Sequence, residues 1–200
     1  MNGAFFYIGL GIGLAAACGL RPYLPVLLAG VLGSAGALGV GFAHAGHYRF
    51  LQSSWWLIAV TVVLVAAYLL QLRLGSERFD ELAAGAVSAQ AIAVGALLLA
   101  GILADHGDAS WPGLIGGGVC AALGQLAIRP LLAGARKRLP DRAAREALTI
   151  YVDGAGLLLA ALVALLHPLG YVLLALLALL IVRTRQRAGE KYAGLRILGR

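Results

Sequence analysis

Long apolar runs, separated by short charged or Gly/Pro-rich breaks, dominate the pattern of this chain. A bilayer core of roughly 30 Å requires about 20 apolar residues in a helix, so each run can be tested as a membrane span. Cutting the chain at its breaks gives six candidates, at about 4–33, 54–72, 82–104, 112–134, 148–166 and 168–182. The pattern therefore predicts an all-α integral membrane protein with about six transmembrane helices.

The last two apolar runs are separated only by "HPLG" at residues 167–170. Pro168 removes a helical hydrogen bond and Gly170 permits a turn. A single kinked helix over 148–182 would be about 52 Å long at 1.5 Å per residue, which exceeds the thickness of the bilayer. We therefore expect two helices joined by a tight hairpin.

The first apolar run is overlong and contains the segment "GLRPYLP" at residues 19–25. Pro22 and Pro25 each remove a backbone donor and restrict the residue before them, so a helix break near Gly19 to Arg21 is expected. Irregular backbone within a membrane is tolerated only where protein or a water-filled cavity surrounds it. The sequence thus predicts an interrupted first helix with Arg21 at the interruption.

Composition agrees with a membrane location for almost the whole chain. Apolar residues make up 61% of the 200 residues and charged residues 12%, and the mean hydropathy is +0.89. Soluble domains are near half apolar and a quarter charged. We expect one membrane domain over 1–200, with no room for a folded aqueous domain.

Basic residues predict the orientation, because short cytoplasmic loops are enriched in Lys and Arg. With the C-terminus inside, the segments 73–81, 135–147 and 183–200 hold thirteen basic residues, whereas the outer segments hold only Arg49. This bias predicts six spans, both termini in the cytoplasm, the 105–111 loop outside and a basic cytoplasmic tail over 183–200. The formal charge of +7 then indicates contact with anionic lipids of the inner leaflet and does not indicate nucleic acid.

Two segments of similar sequence raise the question of an internal repeat. "GIGLAAACGL" at 11–20 resembles "GGGVCAALGQ" at 116–125, and Arg-Pro follows both. Six spans divide into halves of three, 1–105 and 106–182, and an odd number of spans gives the halves opposite orientations, as in a 3+3 inverted repeat. Segments rich in Gly and Ala also align by chance, so duplication and coincidence both stay open.

Polar residues at membrane depth are the candidates for a substrate site. A charge within a span costs on the order of 2.5 to 3.5 kcal/mol on insertion scales, so such residues face the bundle interior and pair. We expect Arg129 to be the easier partner for Asp153, because Arg21 reaches it only if the break bends inward. The alternative for Arg21 is a long side chain that reaches the outer interface. The candidate substrate-binding residues are Arg21, Arg129, Asp153, Tyr68 and Gln125, and the structural break consists of Gly19, Pro22 and Pro25.

Catalytic and metal-binding patterns are weak in this sequence. The "HAGH" at 44–47 has ligand-like spacing, but no Cys or carboxylate lies near it in sequence, and neither HExxH nor a phosphate-binding GxxxxGK[ST] occurs. We expect no catalytic residues, no metal and no cofactor.

Several segments are similar to those of a known family. "GLAAACGLRPYLPVLLAG", "AAY" at 66–68, "GGGVCAALGQ" and the closing "RQRAGEKYAGLRILGR" resemble bacterial membrane proteins grouped as domain of unknown function 4126. Members often carry an acidic residue before the AAY-like segment and a proline after it, and Leu64 and Gln71 take those places here. The resemblance supports a multi-pass protein of the bacterial cytoplasmic membrane and implies no activity.

These observations favour a small carrier or channel for a small solute, an ion or a lipid headgroup. Buried charges and the three-plus-three division support transport. The alternative is a non-transporting membrane partner or organising protein without a substrate of its own. The expected partners are the bilayer, with its anionic lipids, and a small solute or lipid; a homo-oligomer is left open.

Overall fold

Seven α-helices and one short 3-10 helix, Gly46–Gln52, make up the regular structure of the described residues. The computed structural model describes residues 3–139 and 141–196, with side chains described outside 76–81, 142 and 187–196. No strand occurs among the described residues. The helices are α1 Ala4–Leu20, α2 Tyr23–Ala35, α3 Ser54–Leu74, α4 Ser76–Asp105, α5 Trp111–Arg138, α6 Arg142–Leu165 and α7 Leu169–Arg196.

The length and hydropathy of the helices confirm the predicted all-α membrane architecture. Five of them, α3 to α7, contain segments long and apolar enough to cross a bilayer. The other two, α1 and α2, are apolar but have only 17 and 13 residues, about 25 and 20 Å of helix. The structure therefore contains five long spans and two shorter helices where the sequence pattern predicted six spans.

The interruption of the first apolar run is confirmed. Helix α1 ends at Leu20, Arg21 is extended with φ −153° and ψ 123°, and α2 begins at Tyr23. Pro22 cannot donate the hydrogen bond that would continue α1, and it disfavours a helical conformation at Arg21. The chain consequently changes direction at this point.

Helices α1 and α2 form a hairpin whose two ends lie at the same end of the bundle. At the start of α1, the Tyr7 hydroxyl bonds to Asp108. At the end of α2, Gly33 lies against Phe42, and Phe42 also contacts Gly101 near the end of α4. We call this end, which carries residues 36–53, 105–110 and 166–168, the loop end. The hairpin enters from the loop end and returns to it, with Arg21 at its tip.

This hairpin corrects the predicted topology. Because α1 does not cross to the far side, the N-terminal residues stay at the loop end, and the Phe5 carbonyl accepts a hydrogen bond of 2.9 Å from Tyr171 at the start of α7. Helix α7 then runs away from the loop end to Arg196. The described ends of the chain, at Ala4 and Arg196, lie at opposite ends of the bundle; the predicted side of each terminus falls on residues outside the described ranges and stays a prediction.

Helix α1 occupies the centre of the bundle. It packs against α4, α5, α6 and α7 on its sides and against α2 at the hairpin. Small residues permit this close approach: a Cβ on Gly124 of α5 would lie 2.6 Å from the Ala16 carbonyl oxygen, and one on Gly95 of α4 would lie 2.7 Å from the Ala121 Cβ. The Gly- and Ala-rich sequences of α1 and α5 allow the helix backbones to come into direct contact.

The same contacts bear on the internal repeat. Residues near positions 11 and 15 of α1 meet Leu99 and Gly95 of α4, and residues near 113 and 117 of α5 meet Ala100 and Gly95. Helices α1 and α5 therefore both run antiparallel to α4 and parallel to each other. An inverted repeat would require these two similar segments to run in opposite directions, so the 3+3 inverted arrangement does not describe this fold.

The C-terminal part contains the predicted hairpin, and the predicted basic tail is largely helical. Helix α6 ends at Leu165 and α7 begins at Leu169, with the Gly170 amide donating to the His167 carbonyl at 3.1 Å, so the predicted hairpin is present. Helix α7 continues past Arg183, so the basic segment extends the last helix as far as Arg196. The last part of the predicted tail, 197–200, lies outside the described residues.

Candidate functional site

Arg21 and Asp153 form an ion pair inside the bundle. The Arg21 Nε lies 3.2 Å from the Asp153 Oδ1, and the two side chains are only 13% and 7% exposed. Arg21 comes from the hairpin tip, and Asp153 comes from the middle of α6. The structure thus places Arg21 in the bundle interior beside Asp153, and not at the outer interface that the sequence analysis gave as the alternative.

Tyr68 completes the first polar cluster. Its hydroxyl donates a hydrogen bond to the second carboxylate oxygen of Asp153, Oδ2. Tyr68 lies six residues before Leu74, near the end of α3 that is opposite the loop end. Both oxygens of Asp153 are thus engaged by side chains from two other parts of the fold.

Arg129 does not pair with Asp153, contrary to the expectation from sequence. Its Nη2 donates to the Ala84 carbonyl oxygen at 2.9 Å and to the Ser88 hydroxyl, both on α4. Gln125, one turn earlier on α5, donates to the Ser88 carbonyl oxygen at 3.3 Å. The reason is the packing of α5 along α4, which turns the face with Gln125 and Arg129 toward α4 and away from α6.

A second polar cluster lies one helical turn from Asp153 and was missed by the sequence reasoning. The Thr149 hydroxyl accepts hydrogen bonds from Gln71 Nε2 at 3.2 Å and from Arg136 Nη2 at 3.3 Å. Thr149 is buried, and it precedes Asp153 by four residues, the spacing that places two side chains on one helix face. Two features of the sequence could have revealed this cluster: the spacing of four between Thr149 and Asp153, and the spacing of seven between Arg129 and Arg136.

A cavity of about 270 Å³ lies beneath the hairpin tip. The hairpin tip forms one wall, and α4 and α5 form two others. Helix α5 leads from Gln125 past the cavity to its end at Arg138, so the cavity extends away from the loop end. We call that opposite end, which carries residues 135–141, the basic end. The lining residues that matter for recognition are Gly19, Arg21, Gln125, Arg129 and Arg136.

The charged side chains that line this cavity are basic. Three arginines line it, and no acidic side chain is among its described lining residues. Helix α2 begins at Tyr23, directly after the lining residue Pro22, so the positive end of its dipole lies at the same wall. The rest of the lining is mostly aliphatic, including Leu20, Val87 and Leu132. Such a cavity suits a small anionic group.

Metal binding is not suggested by the described part of the chain. Within it, no group of three or more His, Cys, Asp or Glu side chains is placed to hold a metal ion. His44 of the "HAGH" segment lies near Asp105, with Nδ1 3.7 Å from Oδ1, at the loop end and far from the cavity along the helices.

Comparisons with known proteins identify the family of the chain. Neither the curated proteins nor the solved structures gave a match to the chain. The family described as Domain of unknown function (DUF4126) matches residues 8–187. That range includes the hairpin tip, the Arg21–Asp153 pair and the whole cavity lining. The chain therefore belongs to the DUF4126 family, as its sequence resemblance indicated.

Proposed function

We propose that this protein is a small carrier that binds an anionic solute, or the anionic headgroup of a lipid, in the cavity beneath the hairpin tip. Arg129 is the observation on which the proposal rests. Its guanidinium lines the cavity and donates to neutral oxygens of Ala84 and Ser88, and no ion pair to it occurs among the described side chains. Arg129 is exposed, so an anion that enters the cavity can pair with it.

The hairpin supports a transport role. A helix pair that ends within the membrane, with irregular backbone over a cavity, is the arrangement that transporters use to place helix ends at a substrate site. Arg21 and the start of α2 provide this feature here. The proposed role is binding and movement of the ligand, without a covalent step.

The loop end favours a carrier over an open channel. Phe42 is fully buried and packs against Gly33 and Gly101, between α2 and α4. Above the cavity, α1 packs against α4 and α5 at backbone distance, as at Gly95 and Gly124. The path from the cavity to the loop end is closed, so passage requires a second conformation.

The orientation follows from the basic residues in the corrected topology. Arg49 lies at the loop end, whereas the described basic residues of the other short segments lie at the basic end: Arg73, Arg136, Lys137, Arg138, Arg145, Arg183 and Arg185. We propose that the basic end faces the cytoplasm. The cavity then receives its ligand from the cytoplasmic side, and the N-terminus lies outside the cytoplasmic membrane.

Ligand-induced stabilisation tests the binding step. The purified full chain in a neutral detergent is heated with inorganic phosphate or glycerol phosphate, and with glycerol as the neutral control. An anion at one hundred times its Kd stabilises by about 2.7 kcal/mol. Arg129→Gln should lose this stabilisation, whereas Arg49→Gln, an exposed arginine at the loop end, should keep it.

Two further measurements separate the sources of the anion and test transport. Stabilisation in nanodiscs of phosphatidylglycerol, compared with phosphatidylcholine, indicates a headgroup; stabilisation by phosphate in phosphatidylcholine alone indicates a free anion. Efflux of the stabilising anion from proteoliposomes then measures transport. Equal stabilisation by glycerol and by the anions would refute the proposed site.

A further inference from the structure

Asp153 already occupies the position that an anion would take beside Arg21. Its carboxylate accepts from Arg21 Nε at 3.2 Å and from the Tyr68 hydroxyl, and Asp153 is 5% exposed. Arg21 also lines the cavity, whereas Asp153 does not. Arg21 is therefore shared between an internal carboxylate on one side and the cavity on the other.

We propose that the anion and Asp153 compete for Arg21, so that binding of the anion at Arg21 is coupled to protonation of Asp153. This inference rests on the proposed function and names the proton as the co-substrate. In the protonation step, Asp153 takes one proton from water and forms an O–H bond, which leaves a neutral carboxylic acid. Arg21 then pairs with the anion, and no oxidation or reduction occurs.

The charge balance is the physical reason for the coupling. With Asp153 ionised, an anion beside Arg21 gives two negative charges and one positive charge in a buried place. An uncompensated buried charge is strongly unfavourable, because its desolvation is not offset. With Asp153 protonated, the anion replaces the carboxylate as the counterion of Arg21, and the local charge is the same as before binding.

Other ionisable groups around Asp153 do not provide this balance. Tyr68 from α3 bonds to it, and Tyr23 from α2 lies near both Arg21 and Asp153. Central helix α1 contributes the buried thiol of Cys18 and, at the loop end, Tyr7. Each of these groups is neutral at ordinary pH.

The remaining described neighbours contribute no second acidic side chain beside Arg21. Over 169–182, α7 carries only Tyr171, which lies at the loop end. On α6 itself the nearest polar residue on the same face is Thr149, whose partner Arg136 stays charged at every pH considered. Asp153 is thus the acid whose charge can change beside Arg21.

The two cavity arginines then have different roles. Arg129 donates to neutral oxygens, so it can attract an anion into the cavity, but tight binding also requires Arg21. Arg21 accepts the anion only when Asp153 is neutral. Protonation therefore controls movement of the anion from Arg129 at the wall of the cavity to Arg21 at the hairpin tip.

Binding of methanesulfonate as a function of pH tests this inference, because this monoanion does not titrate between pH 5 and 8. The Kd of the purified full chain is measured by titration calorimetry in two buffers of different ionisation enthalpy, which also gives the number of protons taken up. The wild-type Kd should increase about tenfold per pH unit wherever Asp153 is ionised. Proton uptake should approach one per anion bound.

Variants of the cluster give the decisive comparison. Asp153→Asn, which imitates the neutral acid, should bind methanesulfonate with a Kd independent of pH and without proton uptake. Tyr68→Phe removes a hydrogen bond to the ionised carboxylate and should bind roughly tenfold tighter at a given pH. Tyr151→Phe, a change at a tyrosine of α6 that is 77% exposed, should match the wild type.

The outcomes separate the coupling from the proposed function. Tight binding that does not depend on pH in the wild type would overturn the coupling and leave the anion site in place. The same conclusion follows if Asp153→Asn keeps the wild-type dependence of Kd on pH. If only Tyr68→Phe folds, a Kd equal to that of the wild type at every pH leads to this conclusion. Absence of methanesulfonate, phosphate and glycerol phosphate binding at every pH would overturn the proposed function itself.

Discussion

Tyr7 and His106 stack with their ring centroids 4.1 Å apart and an interplanar angle of 18°. Tyr7 lies one turn into the first helix, and His106 directly follows α4. This contact places the beginning of the chain beside the α4–α5 connection. Because of this contact, α1 begins at the loop end, beside the point where α4 ends.

The topology can be checked by labelling single cysteines in intact cells with an impermeant thiol reagent. Gly3→Cys and Ser110→Cys lie at the loop end and should be labelled alike, whereas Asp141→Cys at the basic end should be labelled only after permeabilisation. The native cysteines, Cys18 and Cys120, are buried, which keeps the background low. Opposite behaviour of the variants at 3 and 110 would contradict the hairpin.

Removing one partner of the buried pair should destabilise the protein. Arg21→Ala leaves Asp153 buried without its counterion, and such changes cost about 3 to 5 kcal/mol. The double variant Arg21→Ala with Asp153→Asn should recover a large part of that loss, because the uncompensated charge is gone. Unfolding in mixed micelles, followed by tryptophan fluorescence, measures both.

Arg183→Ala is the matched control for the buried pair, since this arginine of α7 is exposed. Its free energy of unfolding should change by no more than about 0.5 kcal/mol. If Arg21→Ala behaved in the same way as this control, the ion pair would not contribute to the folded state.

The hydroxyl of Tyr68 should also contribute to stability. Tyr68→Phe leaves one carboxylate oxygen of Asp153 without its donor, so we expect a loss of about 1 to 3 kcal/mol in the free energy of unfolding. Tyr151→Phe changes the same chemical group at an exposed position and should have little effect. Equal stability of the two variants would argue against the hydrogen bond.

Close packing of the central helix can be tested with two glycines of α5. A Cβ on Gly124 would lie 2.6 Å from the Ala16 carbonyl oxygen, whereas Gly134 has no heavy atom within 4 Å of such a Cβ. Gly124→Ala should lower the free energy of unfolding by about 1 to 3 kcal/mol because the backbones must separate. Gly134→Ala should raise it by up to about 1 kcal/mol through helix propensity.

The sequence by itself determined the class of the protein and the position of its break. Apolar runs long enough for a bilayer require helices, because each helix satisfies its own backbone hydrogen bonds. Pro22 removes the donor that would continue α1, so the break near Arg21 was local and predictable. The cost of a buried charge likewise predicted that Arg21 would find a partner inside the bundle.

Only the tertiary structure decided where the chain goes after the break. A proline break allows either a kinked crossing or a return to the same side, and the choice depends on contacts distant in sequence, such as those of Tyr7 with His106 and of Gly33 with Phe42. The return of α2 keeps the start of α1 at the loop end and lets α1 and α5 run in the same direction, which does not fit an inverted repeat.

The partners of the charged side chains were decided in the same way. Spacing along the chain suggested Arg129 for Asp153, but the packing of α5 along α4 directs Arg129 to Ser88 and Ala84. The hairpin tip instead brings Arg21 to Asp153. Sequence shows which charges must be satisfied within the membrane, and the crossing of the helices determines which groups satisfy them.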